Sequence, residues 1–121
     1  MDRKLIFAGA VFGFLGVALG AFAAHILKAR LSADMLAVFE TGVRYHMIHA
    51  VAIVAAAAIA DRVSDRLLGA AGWLFAIGIV LFSGSLYALA LTGTAAFGAI
   101  TPVGGVAFLA GWMCLVIAAI T

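Results

Sequence analysis

The chain has 121 residues, of which 68% are hydrophobic and 10% charged, with a formal net charge of +2. Ordinary globular domains are about 45–50% apolar and about 25% charged, and a soluble domain this small needs surface charge to stay dissolved. A water-soluble fold is therefore excluded. The charges are scattered at the ends of apolar runs, with no basic patch of the kind that binds nucleic acid, and the single Cys114 excludes an intrachain disulfide or a multi-cysteine metal site.

In chain order, four apolar segments stand out: Leu5–Ala24, Gly42–Ala60, Leu67–Thr92 and Pro102–Ile120. About 20 helical residues cross the roughly 30 Å hydrocarbon core. Only helices and closed barrels satisfy the backbone there, and these long, non-alternating, Ala-rich runs are helical. One all-α transmembrane domain of four helices over residues 1–121 is expected, with both termini on the same side. Arg3 and Lys4 precede the first run, and Ala21-Phe22-Ala23 has the look of a signal-peptide cleavage site. The run is too long for a signal h-region, however, and reads as a retained helix.

The connections differ in kind. After the first span, Ser32 is placed to cap a helix that starts near Ala33 and runs into the second span. Leu36, Phe39 and Val43 give its start an apolar face, so that this stretch is expected to lie in the interface before turning inward. Asp61, Arg62, Asp65 and Arg66 form a polar hairpin between spans two and three. The uncharged third connection, Gly93–Thr101, is expected to pack on the bundle. With the N-terminus inside, one side receives Arg3, Lys4, Arg62 and Arg66 and the other Lys28, Arg30 and Arg44, which favours cytoplasmic termini.

Gly9, Gly13, Gly16 and Gly20 step along one face of the first helix. Gly104, Gly111 and their small neighbours do the same in the fourth, where Gly105 adds room for close approach. Helices in lipid associate through such close backbone approach. A four-helix chain has little interior in which to use all of these faces, so a homo-oligomer is expected. Thr101-Pro102 reads as a cap followed by a proline in the first helical turn.

Candidate functional residues fall toward one side. Antiparallel spans bring the end of helix one, the start of two, the end of three and the start of four to the same side. His25, Tyr45, His49, Ser83, Ser85, Tyr87 and Thr101 therefore have the depth to form one polar cluster beneath one leaflet. Tyr45 and His49 share a helix face, as do Ser83 and Tyr87. Glu40 and Arg44, four apart, read as interfacial charges able to pair. His25, His46 and His49 are metal-ligand types, but no carboxylate is placed to complete a site. No metal, cofactor or catalytic set is expected.

The segments Gly20–His25, Thr41–His49, Leu81–Tyr87 and Thr101–Trp112 resemble the motifs of a family of small bacterial membrane proteins, the YgdD/YwdK-like family or domain of unknown function 423. The resemblance covers nearly the whole chain. It implies four helices in a bacterial inner membrane and assigns no activity. Its motif positions include His25, Tyr45, His49, Ser83, Ser85, Tyr87, Thr101, Pro102, Gly104 and Gly105, while Ala23 stands where the motif has glycine and Arg44 and His46 fall at open positions. Two functional readings follow. In one, the cluster binds or transports a lipid headgroup, ion or small polar molecule, with proton coupling through His25 or His49 as a further option. In the other, the protein is a structural or accessory oligomer that docks a larger complex. An intramembrane enzyme has no residue constellation behind it.

Overall fold

A computed structural model describes residues 1–121 and contains helices and turns without a strand. Four helical stretches are long and apolar enough to cross a membrane. The first is α1 (Arg3–His25), extended by a 3-10 turn at Leu27–Ala29, and the second is α2 (Ala33–Val63). The third is α3 (Asp65–Gly78) joined through a π-helical turn (Ile79–Ser83) to α4 (Gly84–Thr92), and the fourth is α5 (Thr101–Ile120).

Helix ends follow local chemistry. Asp2 caps α1 by accepting from the amides of Lys4 and Leu5, and Ser32 caps α2 by accepting from Met35. Ser64 is the single extended residue between α2 and α3, and its hydroxyl caps α3 at Leu67. The polar hairpin is thus one residue wide, flanked by the last turn of one helix and the first of the next. Gly93, at φ +70°, ends α4 in the left-handed conformation that glycine takes without strain.

Two expectations need correction and one is met in part. The start of α2 is not a separate segment that turns inward. It is continuous helix with the span from Ala33, and Phe39 is fully buried with Ala23, Leu27 and Ala90. At 31 residues α2 is about 46 Å long, so it projects beyond the hydrocarbon, and the apolar face that the sequence shows is used against α1 and α4. The third connection packs on the bundle against α4 and α5 through a short 3-10 turn (Ala95–Ala99), but stays largely exposed. Thr101 caps nothing; it lies inside the first turn of α5 with Pro102, and its hydroxyl points elsewhere.

α2 is the hub, packed against α1, α3, the π turn and α4, while α5 packs on α3 and the π turn. The main core joins Leu5, Ala50, Ile53, Ala57, Ala71, Phe75, Ile79 and Phe108. Glycines set the closest approaches. A Cβ at Gly104 would overlap the backbone of Phe82 in the π turn, one at Gly9 would lie 2.7 Å from Val54, and one at Gly111 would lie 2.6 Å from Phe75. Gly16 and Gly20 likewise face Met47 and Val43, whereas Gly13 has no neighbour within 4 Å and Gly105 only Phe82 at 3.9 Å. Gly9, Gly16, Gly20, Gly104 and Gly111 thus face atoms of their own chain, and Gly13 does not.

A methyl group at Gly104 has only backbone to displace. Gly104→Ala is expected to lower unfolding free energy in detergent micelles by about 1–3 kcal/mol. Gly13→Ala should leave it unchanged or raise it by up to about 1 kcal/mol through better helix propensity. Parallel denaturant titrations followed by circular dichroism check the contrast.

Candidate functional site

The two α2 histidines organise the polar interior. His46 is 3% exposed and His49 4%. At His46, Nε2 lies 2.7 Å from the carbonyl of Phe12 in α1 and Nδ1 lies 2.8 Å from the Tyr87 hydroxyl in α4. A carbonyl only accepts, so Nε2 carries the proton and Nδ1 accepts from the phenol. His49 uses the opposite tautomer. Its Nδ1 donates to the carbonyl of Tyr45 one turn earlier (2.7 Å), and its Nε2 accepts from the indole N–H of Trp112 in α5 (3.0 Å).

Local sequence makes both geometries feasible. Gly16 lies one turn after Phe12, so no side chain covers that carbonyl; a Cβ at Gly16 would collide with Met47 and sit 3.3 Å from the His46 ring. Gly42 acts in the same way toward α4, since its Cβ would lie 2.7 Å from the Tyr87 ring. Helical side chains lean toward the N-terminus of their helix. Tyr87 accordingly passes Gly42 and reaches His46, while Ser83 on the same face donates to the Gly42 carbonyl (2.7 Å). Ser85, on the other face, donates to the Phe82 carbonyl (2.9 Å), which leaves the Thr101 hydroxyl to donate to Ser85 (2.6 Å).

The predicted residues therefore occur as separate networks. Ser83 and Tyr87 join α4 to α2, Ser85 and Thr101 join α4 to α5, and Tyr45 with His49 faces α5. His25 is exposed at the end of α1 and makes no side-chain hydrogen bond to any of them. His46 is level with Phe12 midway along α1, and His49 with Trp112 midway along α5. With both ring nitrogens of His46 and His49 engaged and His25 apart, no three-histidine metal set forms. Glu40 and Arg44 make no ion pair.

Sequence reasoning missed His46, Trp112 and Phe108. Trp112 lies about three turns after Pro102 and two after Gly105, on a face otherwise made of apolar and small residues, and this was the available signal for it.

The gap between α2 and α5 is bridged by aromatic rings instead of backbone contact. His49 stacks on Phe108 at 3.6 Å and 9°, with Phe75 and Trp112 at 5.2 and 5.9 Å, and Tyr45 packs on Phe82 at 4.8 Å. What the rings do not fill is a groove of about 430 Å³ that opens sideways, lined by Tyr45, His49, Phe82, Gly105, Phe108 and Trp112 among others. Tyr45 is 39% exposed, and its hydroxyl has no partner within the chain.

The histidine networks share no residue, so removing their donors should act independently. Tyr87→Phe and Trp112→Phe are each expected to lower unfolding free energy by about 0.5–1.5 kcal/mol, the range of interhelical hydrogen bonds in membranes. In a double-mutant cycle the two losses should add within about 0.5 kcal/mol.

The family model described as "Protein of unknown function (DUF423)" matches residues 19–105. The UPF0382 membrane protein YwdK of Bacillus subtilis is 48% identical over 119 residues, covering 98% of this chain and 97% of its own length. A UPF0382 membrane protein of Haemophilus influenzae is 47% identical over 117 residues, covering 95% and 92%. The UPF0382 inner membrane protein YgdD of Escherichia coli is 46% identical over 120 residues, covering 98% and 91%. No solved structure matches the chain. With a family match that takes in α2 to the start of α5, and relatives aligned over almost their full lengths, this four-helix protein of the bacterial inner membrane belongs to the DUF423 family.

Proposed function

We propose that the protein binds a membrane lipid in the groove between α2 and α5. One observation carries this reading: the groove joins an apolar aromatic wall to a phenol that the fold leaves free. Buried polar side-chain atoms elsewhere are all partnered, as expected where water is absent. Tyr45 differs. Its ring is held by Phe82 and His49, and the residue is exposed at the start of the apolar part of α2. Below it, Val106, Leu109 and Trp112 continue the groove toward the membrane centre. An apolar chain fits along these residues, with a polar group at Tyr45. This is the combination a lipid presents. The His49–Trp112 bond closes the floor and holds the indole in place.

Native mass spectrometry of gently extracted protein tests the proposal. The wild type is expected to retain a lipid-sized mass at fixed stoichiometry. Gly105→Leu, which places a side chain in the groove where a Cβ meets only ordinary contact, should lose most of it while keeping its helical content. Equal retention by both proteins would refute the groove as the site.

A second reading, assembly with further copies, has a different observation behind it. Gly13 lies in a shallow apolar groove of about 360 Å³ between α1 and α2, lined by Gly9, Ala10, Ala50, Val51, Val54 and Ala55. If α1 meets another copy there, Gly13→Leu shifts the oligomer distribution seen by chemical cross-linking in membranes. An unchanged distribution removes α1 from consideration. Gly111→Leu is no substitute for this test, because Gly111 packs inside the chain.

A further inference from the structure

We infer that the lipid held at Tyr45 is anionic, and that Arg44 is the residue that reads its phosphate. This inference rests on the lipid-binding proposal and adds the headgroup class. Arg44 is exposed on α2 immediately before Tyr45, and the chain offers its guanidinium neither a salt bridge nor a hydrogen bond. Glu40, one turn earlier, is the carboxylate best placed by spacing, and the two do not pair.

Depth makes this an uncompensated charge. Counted back from the polar end at Asp61, about 20 residues of α2 fill the hydrocarbon, which puts residue 41 near the opposite boundary and Arg44 just inside it. Charged side chains at such positions snorkel to the headgroup level. Here the lean of helical side chains toward the N-terminus carries the guanidinium outward along α2. The fixed charges at this end are Lys28, Arg30 and Arg44 against Asp34 and Glu40, none of them in a salt bridge. One positive charge is left over.

The chemistry matches a phosphodiester. Guanidinium donates two parallel N–H bonds to a phosphate, a fit that ammonium lacks, and the adjacent Tyr45 hydroxyl supplies a third donor to the same group. A zwitterionic headgroup brings a cation along with its phosphate and loses part of the gain. A net anionic lipid does not. The acyl chain then enters the groove beneath Tyr45, so charge and chain are recognised by consecutive residues on one helix.

The experiment is lipid competition on the full-length protein in detergent, with phosphatidylglycerol and phosphatidylcholine of identical acyl chains and native mass spectrometry as readout. The wild type should retain phosphatidylglycerol in preference by about fivefold, the contribution of one basic side chain at an anionic surface, and lose that preference as salt rises. Arg44→Gln should bind the same total lipid with the preference reduced to near parity, and Arg44→Lys should keep part of it. If Arg44→Gln keeps both total binding and preference, the headgroup inference is overturned and lipid binding stands. If the wild type retains no lipid, or retains it equally with the groove filled by Gly105→Leu, the lipid reading fails and this inference with it.

Discussion

Inside a bilayer a polar side chain has no water to fall back on, and the arrangement of this protein depends on that constraint. α2 carries two buried histidines into the apolar part of the bundle. Each has one nitrogen to donate and one to accept, and each needs both met within the chain. The partners come from three directions: a carbonyl of α1, a phenol of α4 and an indole of α5. Individually such bonds are worth only about 0.6 kcal/mol on average in membranes. Their larger effect is on register. A slide of α1 by one residue along α2 would move the uncovered carbonyl at Phe12 away from His46 and replace the Gly16 notch with a side chain. Alternatives are disfavoured by the buried groups they would leave unpaired, each of which costs about 1–3 kcal/mol.

Close approach is the second half of the same solution. Burial of apolar area does not drive association between helices already dissolved in lipid, so contact must come from fit. The glycines that admit hydrogen bonds are also the ones that bring backbones together. Gly42 seats Tyr87 and offers its own carbonyl to Ser83, and Gly104 admits the backbone of the π turn. The π turn has its place in this scheme. One added residue rotates α4 by about 100° relative to α3, so that Ser83 and Tyr87 address α2 while Ser85 addresses α5. Gly78, just before it, lies directly under the ring of Phe108.

Much of the fold was legible because it depends on residues near one another in sequence. Segment length gave the spans, Ser32 marked the start of α2, and four-residue spacing put Ser83 with Tyr87 and Tyr45 near His49. The contacts between helices were not legible, because they depend on the rotation of each helix about its axis. The π turn alters that rotation without any strong signal beyond its flanking glycines. His46 illustrates the limit. Nothing around it in the sequence shows that Phe12, 34 residues earlier, presents an uncovered carbonyl, and the Gly16 that uncovers it looks the same as Gly13, which uncovers nothing.

The interior and the edge of the α2–α5 interface follow different rules. Within the bundle every buried polar side chain is paired, so those residues hold the structure together and have no capacity left for a ligand. At the edge, Tyr45 and Arg44 follow one another in sequence, both exposed, and neither the phenol hydroxyl nor the guanidinium is bonded within the chain. A fold that needed only stability would be served there by a residue such as leucine, which fits the lipid as it stands. An arginine just inside the boundary of the hydrocarbon must reach outward for solvation, and a phenol beside an apolar groove keeps its hydroxyl available at the same level. The bond between His49 and Trp112 then has a supporting role: it ties α2 to α5 across the separation that the aromatic rings bridge, and that separation is what leaves the groove open.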